Sequence, residues 1–261
     1  MMRALGIAAS GMEAQQTNVE VISNNIANVS TTGFKRSMAQ FEDLLYQSDA
    51  RVGSASSESG TLLPTGTQLG LGVRNSGTTR VVTQGSLTQT SNTLDLAING
   101  RGYFGVTLPN SEVVYTRDGS FQLSPTGQIV TNEGYPVVPG ISVSPTATAV
   151  TINTAGQVIE TTAAGKQQTV GQLQLFNFVN EAGMEAQGGN NFAQTDASGD
   201  PAQGLPSDTG FGSISQGYVE SSNVNVVQEI TSLIQAQRAY EMNSKVIEAA
   251  DQMMQTTTQV K

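Results

Sequence analysis

The sequence predicts an α+β fold in which an N-terminal and a C-terminal helix pair as an antiparallel coiled coil, with a mainly antiparallel β body inserted between them. Three observations predict it. Both ends of the 261-residue chain carry apolar residues at alternating steps of three and four, and the middle breaks into short β-rich runs separated by Asn-Gly, Asp-Gly and Gly-Gly turns. Both ends also join the same body, so the first helix must run towards it and the last must return from it. The expected division is a helix over 1–33, a connecting segment and linker over 34–66, a β body over 67–222 and a helix over 223–261.

The first element follows from Leu5, Ala8, Met12, Gln15, Val19, Ile22, Ile26 and Val29, in which only Gln15 is polar. Sustained over about four heptads, such spacing is a coiled-coil seam rather than the broader stripe of a globular helix. Gly33, followed by Phe34, is the expected helix stop. The helix end is crowded with amides at Asn24, Asn25 and Asn28. Asn28-Val29-Ser30 matches a glycosylation sequon, but at a helix end it reads as a cap or a hydrogen-bonding partner for the helix-to-loop transition.

Residues 34–45 keep a helical spacing through Phe34, Met38, Phe41 and Leu45, with a strand left open as the alternative. From Gln47 to Gly66 the sequence QSDARVGSASSESGTLLPTG has the composition of a linker. The β body is predicted from LDLAI, VVYTR, SFQLS, QIVT, YPVV, AVTIN, QVIET and QLQLFNFV, with turns at Asn99-Gly100, Asp118-Gly119, Thr126-Gly127, Ala155-Gly156 and Gly188-Gly189. Residues 100–105, GRGYFG, spell a G-x-G-x-x-G. A dinucleotide fingerprint needs a helix next, and VTLPNSEVVYT follows instead, so a tight turn and bulge in a β-hairpin is expected.

The last helix is expected from Val226, with Val226, Ile230, Leu233, Gln237, Tyr240, Ser244, Ile247, Asp251 and Met254 as its seam and Ser221, Ser222, Asn223 or Asn225 as its cap. Pairing Val29 against Val226 places Gln15 opposite position 240, within one turn of Gln237. Two polar seam residues meeting at one level would set the register. Neither helix is stable alone, and even the pair leaves apolar surface uncovered, so association through the chain ends is expected.

Composition narrows the function. The net charge is −9 and the 12 basic residues are scattered, which excludes a nucleic-acid footprint. No apolar run approaches the ~20 residues of a bilayer span, and the N-terminus lacks the features of a secretory signal, so neither membrane insertion nor the general secretory route is expected. Cys, His and Trp are absent, removing thiolate and imidazole chemistry. Asp95, Glu112, Asp118 and Glu133 are the carboxylates a glycosidase in the β body could use, but Asp118 before Gly119 is a turn residue. Neither an enzyme nor a cofactor or metal site is expected.

The stretches NNIANVSTTGFKR (24–36) and YVESSNVNVVQEITSLIQAQRAYEMNSKVI (218–247) resemble the terminal motifs of the bacterial flagellar axial proteins, the family of rod, hook and hook-associated subunits. LDLAINGRGYFGV and YTRDGSFQLSPTGQIVTNEGYPV resemble the β domain shared by its rod and hook members. FEDLLYQ, PTGTQLGLGVR and the total length fit the distal-rod type best, with a proximal rod or hook-type subunit as the alternative; an extracellular β-stalk adhesin is a more distant one.

The resemblance implies terminal helices lining a hollow cylinder with a β domain outside, unfolded export through the flagellar type III apparatus and a drive shaft that transmits torque. Implied partners are further copies of the chain, proximal rod and hook subunits, the rod cap and the ring-bushing proteins. Leu5, Met12, Gln15, Val19, Ile22, Asn24, Asn25, Ile26, Asn28, Val226, Ile230, Leu233, Gln237, Tyr240 and Ile247 are then expected at subunit interfaces, with Gln47 to Gly66 as an inter-subunit brace.

Overall fold

A computed structural model describes residues 2–50, 65–163 and 165–259. The chain forms two compact units: Met1–Ile26, Ser37–Thr79 and Val226–Lys261 make the first, and Ala27–Arg36 with Arg80–Asn225 make the second.

The first unit holds the helix α1 (Met2–Ala27), four strands, β1 (Ser37–Asp43), β2 (Tyr46–Ala50), β3 (Thr67–Gly70) and β4 (Val73–Arg80, whose last residue belongs to the second unit), and the helix α2 (Val226–Gln259). Proline is absent from α1, whose many Ala, Met, Glu and Gln residues are good helix formers. Its inward face is the predicted line, with Ala8 and Ile22 buried and Leu5, Met12, Gln15, Val19 and Ile26 half-buried, widened by buried Ala14 and Asn25. The helix ends at Ala27, not at Gly33. A turn in which the Thr31 N–H donates to the Asn28 carbonyl (3.2 Å) and the Thr31 hydroxyl to Asn28 Oδ1 (3.1 Å) stops it first, which is the local role expected of Asn28.

The seam expected on α2 is wrong through its first half. Val226 (37% exposed), Ile230 (45%), Gln237 and Tyr240 (45%) face outward, while Glu229, Ala236 and Ala250 are buried and Leu233, Ala239, Asn243, Ile247 and Met254 half-buried. The reason is size. Counting from Val226 assumes that large apolar residues turn inward, whereas the buried line of α2 is rich in alanine, and small residues let two helices approach closely.

Asn25 bonds Glu229 (3.3 Å), and Gly11 lies against Asn243, so α1 and α2 run in opposite directions with Gln15 opposite Ala239. Gln15 and Gln237 nevertheless form no hydrogen bond with each other; Asn25 and Glu229 are the polar pair that is made.

Residues 37–43 form a strand rather than the helix that Met38 and Phe41 suggested. β1 pairs with β4 and β2 with β3, and the Leu44 N–H donating to the Gly72 carbonyl (2.9 Å) continues the ladder between the two pairs as one long two-stranded arm. Glu42 takes Arg74 Nη2 at 2.9 Å and the Ser76 hydroxyl at 2.7 Å across it. Gln47 to Ala50, read as linker, therefore belong to a strand in register with Thr67–Leu69. Of the remainder of that reading, Thr65 and Gly66 lie outside any strand and residues 51–64 lie outside the described residues. The arm comes close to α1 at Gly72, whose φ is +119° and where a Cβ would stand 2.2 Å from Ser10 Oγ, so no other residue fits there.

In the second unit every strand pairing given a register is antiparallel. A six-stranded sheet has the order Glu185–Gly188, Asn191–Ala193, Val113–Thr116, Tyr103–Thr107, Leu175–Asn177, Ala202–Gly204. Successive side chains of a strand point to opposite faces, and Tyr103 and Phe104 show it. Phe104 joins Leu96, Ile98, Phe121, Leu175 and Ile214 in a mainly aliphatic core, while Tyr103 joins Tyr115, Phe176, Phe178, Met184 and Phe192 in a mainly aromatic one with edge-to-face rings.

The turns at Thr126-Gly127, Ala155-Gly156 and Gly188-Gly189 close hairpins as expected. The GRGYFG turn does not. Leu96–Asn99 pairs with Ser213–Gln216, whereas Tyr103–Thr107 pairs with Val113–Thr116 and Leu175–Asn177, so Gly100 (φ +114°) and Gly102 (φ +131°) carry the chain from one sheet to another. YPVV contributes only isolated bridges at Pro136 and Val137.

Candidate assembly site

The segments that lead to the helices and the arm are gathered inside the second unit. Gly33, with φ +69°, donates its N–H to the Glu220 carbonyl (2.8 Å) and packs against the Arg117–Asp118 backbone so closely that a Cβ would clash. Two residues on, Lys35 is 3% exposed and its ammonium donates to Glu220 Oε1 (2.5 Å) and the Thr83 carbonyl (2.9 Å). Glu220, 1% exposed, also takes the Gly85 N–H (2.9 Å) on Oε1 and Arg117 Nη1 (3.3 Å) on Oε2.

Asn223 completes the junction: its Oδ1 accepts the Arg36 N–H (2.7 Å) and its Nδ2 donates to the Val81 (2.8 Å) and Thr83 (3.0 Å) carbonyls. Three chain segments, 33–36, 81–85 and 220–223, are thus fastened by one buried carboxylate and one amide. Desolvation pulls the Lys35 pKa below its ordinary value even though Glu220 opposes the shift.

A second cluster adjoins it. Arg117 lies over the Tyr103 ring (5.0 Å), the Tyr103 hydroxyl donates to Glu181 Oε2 (2.9 Å), and Arg101 Nη2 reaches Glu181 Oε1 (2.9 Å). Burial, then the Glu181 charge, pushes the Tyr103 phenol well above its ordinary value. Asp118 is a turn residue, its Oδ1 accepting the Ser120 N–H and the Thr32 hydroxyl at 3.0 Å each. Among the described residues no cluster of His, Cys, Asp or Glu could hold a metal, and no helix is long and apolar enough to cross a membrane.

In the first unit Asn25 (1% exposed) clamps the backbone of Ser37, donating from Nδ2 to its carbonyl (2.8 Å) and accepting its N–H (2.9 Å) on Oδ1. Within the chain its amide is committed to Ser37 and Glu229. Large apolar residues lie exposed on the outer face of α2 at Val227, Ile230, Ile234, Met242, Val246 and Met253, and on the arm at Met38, Phe41, Leu45, Tyr46, Leu69 and Leu71. In the second unit only Leu123, Val179 and Leu205 are comparably exposed among the described residues.

Three family models match the chain: "Flagella basal body rod protein" over residues 5–35, "Flagellar hook protein FlgE/F/G D1 domain" over 97–160 and "Flagellar basal body rod FlgEFG protein C-terminal" over 215–260. The flagellar basal-body rod protein FlgG of Caulobacter vibrioides is 54% identical over 261 residues, covering all of both chains. The chain belongs to the flagellar basal-body rod protein FlgG family.

Of two Bacillus subtilis relatives, FlgG is 38% identical over the whole of both chains and the hook-basal body complex protein FlhP 29% over 97% of each. The likeness therefore favours the FlgG branch over that sibling. FlgG is the structural subunit of the distal rod of the flagellar basal body and not an enzyme.

Each matched segment supplies one member of the buried cluster: Lys35 from the first, Arg117 from the second and Glu220 from the third. Lys35 and Glu220 lie within the GFKR and VESSNVN motifs, where neither has a role legible from spacing, and Asn223, a candidate helix cap, instead fastens the junction. The glutamate of VESSN, a single charge among uncharged neighbours, was the available signal. Asn24, like Asn28, is not buried, and Phe34 is half-buried with its carbonyl accepting the Asn223 N–H at 3.4 Å.

Proposed function

We propose that this FlgG-family chain polymerises through α1 and α2, which pair as an antiparallel coiled coil and line a rigid hollow shaft that transmits torque to the hook. The observation that carries the reading is that α2 carries apolar side chains on its outer face as well as on its inner one. A buried line from Ala236 to Ala250 is matched by exposed apolar residues from Val227 to Met253, interspersed with Arg238 and Lys245, and so many exposed apolar side chains on one helix mark a contact surface. A single chain supplies no cover for that surface, whereas neighbouring copies do. Val226, Ile230, Gln237 and Tyr240, outward in the single chain, are interface residues in this reading, while Leu5, Met12, Val19, Ile22, Ile26, Leu233 and Ile247 serve the pairing of α1 with α2.

Proximal rod and hook subunits meet the two ends of the shaft, the rod cap promotes its growth, and ring-bushing proteins surround it. The chain reaches this place unfolded through the flagellar type III apparatus. The segment from Gln47 to Gly66 braces one copy against the next.

Ile234→Asp with Val246→Asp tests the reading, because both residues are exposed and the monomer tolerates them. Electron microscopy and pelleting of concentrated protein should show tubes from the wild-type chain and none from the variant. Tubes from both in equal yield would contradict it. Deleting residues 51–60 should leave assembly intact and make the filament bend more; equal stiffness would remove the brace.

A further inference from the structure

Between α1 and α2 runs a groove of about 390 Å³ lined by Gln16, Val19, Glu20, Gln237, Tyr240 and Glu241. We propose that this groove seats the outer ridge of α2 from a second copy, with Arg238 and Lys245 of that copy answering Glu20 and Glu241. The inference rests on the assembly reading above and names the contact that carries it.

The groove offers apolar surface from Val19 and the half-exposed Tyr240 ring, and two exposed carboxylates stand at it. Glu20 accepts only the Gln16 amide (3.2 Å), and neither it nor Glu241 pairs with a cation. The complementary pattern lies on α2 itself. Ile234, Arg238, Met242 and Lys245 follow at steps of four, four and three, which aligns them on one ridge, and all four are exposed. Arg238 and Lys245 form no ion pair, so the ridge alternates apolar and cationic side chains against a groove that is apolar and anionic.

A chain cannot fill its own groove. Arg238 and Tyr240 are separated by roughly 160° around a helix of 3.6 residues per turn, so the apolar floor of the groove and the ridge face different ways, with Glu241, one turn from both Arg238 and Lys245, at the rim between them. Each copy therefore presents one groove and one ridge, unlike surfaces that meet head to tail. Such a heterologous contact propagates into a ring or filament and does not close as a two-fold dimer. Apolar contact supplies the adhesion, and the charges select the register.

Two half-reversed chains test this. Arg238→Glu with Lys245→Glu gives an acidic ridge and an acidic groove; Glu20→Lys with Glu241→Lys gives a basic ridge and a basic groove. All four positions are exposed, and circular dichroism verifies that the monomers fold. Each variant alone should raise the critical concentration for assembly at least tenfold, and an equimolar mixture should assemble within about threefold of wild type. A half-reversed chain that assembles like wild type, or a mixture no better than its components, overturns the groove contact while leaving assembly standing. A wild-type chain that never assembles overturns both.

Discussion

Lys35 sits where an ammonium ion costs several kcal/mol unless it is answered, and Glu220 answers it. The carboxylate serves two cations and a backbone N–H at once, so it is the member whose loss leaves most behind. Glu220→Gln should lower the stability of the second unit by about 3–5 kcal/mol, read from the urea midpoint, and Lys35→Met by less because Arg117 still neutralises Glu220. Equal losses from the two would show that Glu220 is not the hub.

Tyr103 gives a pH dependence with a definite sign. Its phenol keeps its proton in the fold well above 10.0, while the unfolded chain releases it near that value. The unfolded state then binds fewer protons, so stability that is complete below pH 10 falls as the pH rises further. Tyr103→Phe should flatten that fall in a melting series above pH 10. At this scale the sequence was least legible: Lys35, Arg117 and Glu220 are far apart in the chain, and no spacing rule joins them before the strands have paired.

At the scale of elements, legibility followed side-chain size. On α1 the large residues turn inward, so steps of three and four from Leu5 to Ile26 found the right face. On α2 they turn outward in the first half and alanines turn inward, and the same rule found the wrong one. Residues 37–43 misled for a related reason: Met38 and Phe41 are exposed, so their spacing records no burial and mimics a helix by accident. The body strands were legible because β-rich runs alternated with glycine turns, although the sheet joined by each strand after GRGYFG was not.

The Asn25 clamp ties α1 to the start of the arm, and Asn25→Ala should leave the Ser37 N–H and carbonyl unpaired at a cost of about 2 kcal/mol. Faster amide exchange at Ser37 and along β1, with no change at Val114, is the expected signature. Deleting residues 226–261 should abolish assembly and leave the melting of the second unit unchanged, since its cores draw on none of those residues.

For the whole molecule the division of labour is uneven. The second unit buries its aromatic and aliphatic side chains in two cores of its own, whereas the exposed apolar surface is concentrated in the first unit, on α2 and the arm. A net charge of −9 opposes indiscriminate clumping of that surface, so adhesion depends on the fit between copies. The central claim is that α2 becomes an interior helix on assembly. Electron microscopy of concentrated wild-type chain, carried to a helical reconstruction, tests it most directly. The account predicts straight hollow tubes in which Ile230, Ile234, Met242 and Val246 are buried between neighbouring copies. Dispersed monomers at every concentration, or tubes whose outer α2 face remains in solvent, would contradict it.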